Sequence, residues 1–404
     1  MRARWLWALA ASLGPQLAVA HTLPATLGVV GSQGGDPFAL RLAHGLALRQ
    51  EKGWRFVCPA RWGGPALATA GGPVVGGQPE LWVIGQEGPV RIGSDGQSHR
   101  LAAPALSPST VRRLIAMPGT VVALAVDARG TSLWRLAQDS AERIYQAPES
   151  AESIATDGQQ IFIGRTSPDA IVIDILGAGP AERRWFAAAD LEGRTLALEY
   201  AGGALWARLS DGQGTRLVRL EDGQASLALF TDHVLLGPVD QGGRALVAVD
   251  QALYTLDEGG LGPVATSTAI TCLDGGAGIA FACSKTRLLA LVSPPEERFS
   301  LTELLGPELA GLDQDTALSC QLEWLDLATE AGLDPRAAPK TPEADGAAPP
   351  LLTPAGCSCL RLRPGLGGLG FLALLGLARR GRQRPGPGIE AAGDPGRGRQ
   401  PPPL

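Results

Sequence analysis

The sequence predicts an all-β protein: a β-propeller counted at seven four-stranded blades, with six or eight as the alternatives, followed by a short C-terminal helix and a membrane or sorting segment. Three observations predict it. Short strand-like runs bounded by turn residues recur about every 35–45 residues over some two-thirds of the chain. The 54 glycines and 32 prolines favour many turns over long helices. The 404 residues exceed one ordinary core of about 100–200 residues but suit a radial repeat. A sheet of four short strands has two apolar faces and cannot bury both alone. Arranged radially, each sheet packs on its neighbours and only short edges remain.

Residues 1–20 read as a secretory signal. Arg2 and Arg4 are its positive region, residues 5–13 its apolar region, and Ala18-Val19-Ala20 a small-residue cleavage site. Cleavage between Ala20 and His21 would start the mature chain at His21 and send it out of the cell.

The propeller is expected over residues 21–305. Its first segment holds TLGVVGS, PFALRL, LALRQ and WRFVCP. The second holds ELWVIG, PVRIGSDG and SHRLA. The third runs RLIAM, TVVALAVD, TSLWRLA and ERIYQA, separated by Pro-Gly, Arg-Gly and Asp-Ser turns. The fourth is SIATDG, QIFIGR, AIVIDI and ERRWFA, and the fifth TLALEY, ALWARL, TRLVRL and SLALF. HVLLGPV, RALVAVD, ALYTLD and PVATS make the sixth. AITCL, IAFACS, RLLALV and RFSLTELL make the seventh. Alternation mixes with near-continuous apolar runs such as TVVALAV, as expected for sheets buried on both faces. Asp95-Gly96, Asp157-Gly158, Asp211-Gly212 and Asp222-Gly223 are expected to make hairpin turns through positive φ.

These repeats resemble a degenerate form of the sialidase-type Asp-box propellers, in which Ser-x-Asp-x-Gly-x-x-Trp follows a strand. Gly53 and Trp54 keep part of that motif, and Ser94-Asp95-Gly96 and Ser210-Asp211-Gly212 keep its turn. The resemblance implies a propeller and transfers no functional residue.

Export permits disulfides. Of six cysteines, Cys58, Cys272, Cys283 and Cys320 lie in the part expected to fold, and four cysteines allow three pairings. A two-residue turn at Ala277-Gly278 would set Cys272 opposite Cys283, at about 4.5 Å between Cα atoms. That leaves Cys58 and Cys320, which would tie the first repeat to a segment after the last. Free buried thiols are the alternative.

Residues 306–334 are expected to form a helical extension packed on the propeller. In 315–332 (DTALSCQLEWLDLATEAG), Leu318, Leu322, Leu325, Leu327 and Ala328 fall at helical spacing. Asp315 or Thr316 would cap the start and Gly332 the end, with Trp324 and Cys320 holding the helix down. A partner-binding helix is the competing reading. Residues 335–355, rich in Pro, Ala and acidic groups, read as a linker.

Residues 356–384 have three parts: the Cys357 and Cys359 motif, the apolar stretch 366–378 (LGGLGFLALLGLA), and Arg379, Arg380, Arg382 and Arg384. An apolar run followed by arginines is a stop-transfer element, although 13 residues are short for a span of about 20. In this order the three parts resemble the MYXO-CTERM sorting signal of myxobacterial surface proteins. The resemblance implies a sorting or processing protease, processing or lipidation at Cys357 or Cys359, membrane contact through the C-terminal segment, and display at the cell surface or outer membrane; an extracellular protein, freely secreted after the tail is cleaved, is the alternative. Residues 385–404 add a Pro/Gly-rich tail expected to be disordered.

No P-loop or Gly-x-Ser-x-Gly elbow occurs, and His21, His44, His99 and His233 lack metal-ligand spacing. We therefore expect no catalytic residue, metal or cofactor. The net charge of −5 argues against nucleic acid as a partner. The expected function is non-enzymatic binding of an unidentified protein or glycan, or a structural role in the envelope. A glycan hydrolase or lyase is the alternative, which would need inward arginines converging on a carboxylate. Glu199-Tyr200 could not act as a pair, since neighbours on a strand face opposite ways. Arg183 and Arg184 read as a solvated strand end.

Overall fold

The computed structural model describes residues 26–333, apart from 34, 43, 52, 65, 67, 76–77, 104, 190, 192–193, 258–259, 267, 277, 285 and 310. Cys357, Cys359, the Ala20/His21 site and the 379–384 arginines lie outside the described residues. Among the described residues there are seven antiparallel four-stranded meanders. Blade 1 is Thr26–Gln33, Asp36–Leu42, Gly45–Gln50 and Gly53–Val57. Blade 2 is Ala68–Val75, Gln78–Gly85, Gly88–Ile92 and Ser98–Arg100. Blade 3 is Val111–Met117, Thr120–Asp127, Gly130–Leu136 and Ala141–Ala147. Blade 4 is Ser153–Thr156, Ile161–Ser167, Ala170–Leu176 and Glu182–Ala187. Blade 5 is Thr195–Ala201, Ala204–Asp211, Gly214–Glu221 and Gln224–Thr231. Blade 6 is Leu235–Gln241, Arg244–Val249, Ala252–Asp257 and Gly260–Val264. Blade 7 is Cys272–Gly276, Ile279–Ser284, Arg287–Ala290 and Glu296–Ser300. The first strand of each blade packs on the first strands of both neighbours, and that of blade 7 packs on that of blade 1. The ring closes, with the first strands around its axis. The protein is a β-propeller.

Buried apolar side chains explain why. They form groups that each span one blade-to-blade interface. Strand alternation divides one strand between two such groups. In Thr120–Asp127, Val121, Ala123 and Ala125 face blade 2, while Val122 and Leu124 face blade 4. Each run must be apolar on both sides, which produces near-continuous hydrophobic strands. Burying one Leu or Ile this way stabilises the fold by about 1.5–3 kcal/mol.

The first strand of blade 2 is one that the sequence pattern does not predict. Its sequence, ATAGGPVV, lacks the usual strand composition for a packing reason. A Cβ on Gly71 would lie 2.7 Å from Gly31 Cα, and one on Gly31 would lie 2.3 Å from the Phe38 ring. The first strands of blades 1 and 2 approach too closely there for side chains. The fourth strand of blade 6, Gly260–Val264, begins before the expected PVATS.

The segment after blade 7 fastens the ring. Leu304–Pro307 adds a fifth strand to blade 1, parallel to Gly53–Val57. Strand structure therefore crosses the expected boundary at 305. Cys58 and Cys320 form a disulfide at 5.3 Å between Cα atoms, and Cys272 and Cys283 form another at 4.8 Å. Cys272 and Cys283 are opposite in the strand register, as the short turn requires. Arg61 is buried between blade and clasp, donating to Gly96 O at 2.9 Å and Glu308 O at 2.7 Å.

Helix α1 spans Gln314–Ala331. Asp313, rather than Asp315 or Thr316, is its N-cap, accepting from Thr316 N at 3.0 Å, and Gly332 ends it at φ 67°. Cys320, Trp324, Leu327 and Ala328 are buried, with Trp324 5.9 Å from the Phe56 ring. Leu318, Leu322 and Leu325 are not part of that face. They are exposed on the opposite side, because the helix carries two apolar stripes and only one meets blade 1. Among the described residues no helix is long and apolar enough to cross a membrane.

The four Asp-Gly turns do not occupy one repeated position. Asp95-Gly96 and Asp222-Gly223 join third to fourth strands, Asp157-Gly158 first to second, and Asp211-Gly212 second to third. Only at Asp222-Gly223 do both residues take positive φ, 50° and 74°. Asp157 and Asp211 instead accept backbone N–H groups of the two residues beyond their glycine, at 2.6–2.9 Å.

Candidate functional site

The first strands surround the axis, and polar side chains on them meet from blade to blade. Arg113, on the first strand of blade 3, donates to both carboxylate oxygens of Glu199, at 3.1 and 3.2 Å, and to Leu198 O at 3.3 Å. Glu199 belongs to blade 5. The arginine crosses the start of blade 4, where Ser153 Oγ lies 3.5 Å from it and accepts from Leu198 N at 2.9 Å. Three blades are thus joined by one guanidinium. Tyr200 faces the other way and stacks on Phe162 at 5.8 Å, so Glu199 and Tyr200 are separated as strand geometry dictates.

Asp274 is on the first strand of blade 7. It accepts from Val29 N at 3.0 Å across the blade 1–blade 7 seam. A Cβ at position 28 would lie 2.3 Å from its carboxylate oxygen, so Gly28, at φ 157°, clears its place. Burial pushes the Asp274 carboxyl up to about 6. The Val29 N–H and the positive Arg41 and Arg113 oppose the rise, and Glu199 adds to it.

Arginines do converge on a carboxylate, but away from the axis. Asp174, on the third strand of blade 4, accepts from Arg165 at 2.8 Å, Arg183 at 2.6 Å and Tyr145 of blade 3 at 2.7 Å. Burial works against its charge, yet hydrogen bonds from Arg183, Arg165 and Tyr145 hold its pKa below the usual carboxylate value. Burial and the bond to Asp174 push the Tyr145 hydroxyl up to about 12. Arg183 is exposed at the start of its strand, as expected, and from there it closes over Asp174 and also reaches Glu149 at 3.2 Å. Arg184 does stay outside, paired with Glu182 at 2.7 Å. It borders a cleft of about 410 Å3 beside Phe186, Leu205, Arg219, Glu221 and Asp222.

The outer strands of blades 4 and 5 carry exposed apolar groups: Trp185 at 56%, Leu227 at 62% and Phe230 at 55%. The two strands pair in parallel only at Ala187 and Gln224. Gln224–Thr231 contains no charged residue. The run SLALF marks a strand in the sequence, but a strand with both faces covered would look the same. Only the register reveals its uncovered side. Leu227 pairs with Val218 and Phe230 with Arg216, and a bulge at Ala228 puts both on one face.

His233 is exposed, 3.7 Å from Asp232, and among the described residues no three His, Cys, Asp or Glu side chains gather as a metal site.

No protein-family model matches the chain, and no curated protein matches it. Solved structures do. A streptogramin B lyase structure aligns at 12% identity and TM-score 0.42, over 60% of this chain and 88% of that one. YCF48 bound to D1 peptide aligns at 12% identity and TM-score 0.43, over 65% and 92%. A gluconolactonase from Xanthomonas campestris aligns at 17% identity and TM-score 0.38, over 60% and 87%. At such identities the likeness concerns architecture alone, and the propeller stands on its own strand order.

Proposed function

We propose that this is an exported propeller, displayed at the cell surface through residues 356–384, that works by binding a protein or a glycan. The observation that carries the reading is the exposed Leu227 and Phe230 on one face of the outer strand Gln224–Thr231, with Trp185 also exposed on the outer strand of blade 4. Large apolar groups left in water on an otherwise well-packed ring mark an interaction surface, and aromatic residues dominate such contacts. Two disulfides fit the oxidising compartment to which a signal in residues 1–20 would send the chain. A protein and glycan binding screen with the full chain tests the reading. A ligand should be retained by the native protein and lost with Trp185→Ala, Leu227→Ser and Phe230→Ser combined. Binding untouched by those changes would defeat the assignment to this surface. Cys357→Ser with Cys359→Ser should move the protein from the cell surface into the medium; unchanged retention would count against display through those cysteines.

One observation favours a second reading, a glycan hydrolase or lyase. Burial pushes the Asp274 carboxyl up to about 6 and Glu199 adds to the rise, which suits Asp274 to the role of proton donor. Turnover of a glycan by the native protein, abolished by Asp274→Asn, would establish it.

A further inference from the structure

Helix α1 is apolar on two opposite sides. At 100° per residue, Cys320, Trp324, Leu327 and Ala328 fall on one side, and all are buried against blade 1. Leu318, Leu322 and Leu325 fall at i, i+4 and i+7 on the other, and remain 42%, 55% and 42% exposed. Anchoring the helix does not need them, since the disulfide and Trp324 already fix it. Spacing of this kind is the footprint of a helix that receives another apolar segment.

Charge says what kind of segment. The helix contains Asp315, Glu323, Asp326 and Glu330, and neither lysine nor arginine. Exposed Asp315 and Asp326 flank the leucines on one side, and Gln314 and Gln321 flank them on the other. A second copy of the same helix would set these aspartates against aspartates when antiparallel and against glutamines when parallel, and would bring no cation in either case. A segment with Lys or Arg beside its apolar face would be complemented.

We propose that the outer face of α1 is a docking site for a basic, amphipathic helical segment of a partner protein, gripped by Leu318, Leu322 and Leu325 and oriented by Asp315 and Asp326. This deepens the binding reading by naming a second surface and the chemistry of its partner.

The test uses the full chain and two synthetic 14-residue helical peptides, each with a leucine stripe, one flanked by lysines and the other by glutamates. The lysine peptide should bind, about tenfold or more tightly than the glutamate peptide, and weaken as salt rises. Leu322→Ser with Leu325→Ser should lower its affinity at least tenfold, and Asp315→Asn with Asp326→Asn several-fold. Unchanged far-ultraviolet circular dichroism would show that these surface changes leave the fold intact. Binding should survive the Trp185, Leu227 and Phe230 substitutions, so loss of the rim surface and loss of this one are told apart. Equal binding of both peptides, or binding indifferent to the leucine changes, overturns the proposal. So does a dimer that the leucine changes dissolve, which would make the occupant a second copy. Peptide binding that emerges only after residues 366–384 are removed also overturns it, because the occupant would then be the chain's own tail.

Discussion

Arg113 and Glu199 lie 86 residues apart and two blades apart, yet they meet through two hydrogen bonds at 3.1 and 3.2 Å. The pair keeps contact with water, with side chains 37% and 29% exposed. Arg113→Met should therefore destabilise the fold only modestly, by about 1 kcal/mol in urea unfolding. Its sharper effect is electrostatic. Arg113 lowers and Glu199 raises the pKa of Asp274. Carboxyl titration by NMR should show the Asp274 pKa rising in Arg113→Met and falling in Glu199→Gln.

Asp274 itself makes stability depend on pH. Its folded pKa, about 6, stands above the unfolded value of about 3.9. The folded state binds the proton more tightly, so this contribution is complete below about pH 4 and is lost as pH rises through 6. Asp274→Asn should remove that slope. The stability of the native protein minus that of the variant should fall by about 2–3 kcal/mol between pH 4 and pH 7.

Asp174 runs the other way. Its pKa is lowered in the fold, so its contribution is present above the unfolded value and lost as pH falls through the folded one. Asp174→Asn strips Arg165, with a side chain only 10% exposed, of the carboxylate it is hydrogen-bonded to. A loss of about 3–5 kcal/mol is expected in denaturant unfolding at pH 7. Tyr145→Phe, which removes one of the donors, should cost about 1.5–3 kcal/mol.

The Cys58–Cys320 disulfide spans 262 residues. Cys58→Ser with Cys320→Ser should destabilise by about 2–5 kcal/mol. Hydrogen exchange should rise first in α1 and Leu304–Pro307, while the first strands of blades 3 to 5 stay protected.

Gly71→Ala should be far more harmful than its single methyl suggests. The new carbon meets the backbone of Gly31 at 2.7 Å, where no flexible side chain can give way. A loss of about 1–3 kcal/mol is expected, measurable as a lower thermal midpoint.

The propeller was legible because apolar runs and turns report burial on both faces, and the Cys272–Cys283 pairing because register follows turn length. Ala68–Val75 was invisible because two glycines in close approach erase the strand signature. Helical spacing in 315–332 gave the helix but not which apolar stripe faces inward; that depends on Phe56 and Cys58, some 260 residues earlier in the chain. The Asp174 lock and the Arg113–Glu199 bridge join side chains from different strands and blades, and local pattern carries no trace of either.

Arg61 grips the Ser94-Asp95-Gly96 turn with one nitrogen and Glu308 O with another, and α1 ends at Gly332. The clasp strand, the Cys58–Cys320 disulfide and the Arg61 grip therefore all precede the Pro-rich residues 335–355. Under the display proposed above, cleavage within residues 335–355 would release the propeller whole, with its seam still latched, so that attachment and architecture would be given up one without the other.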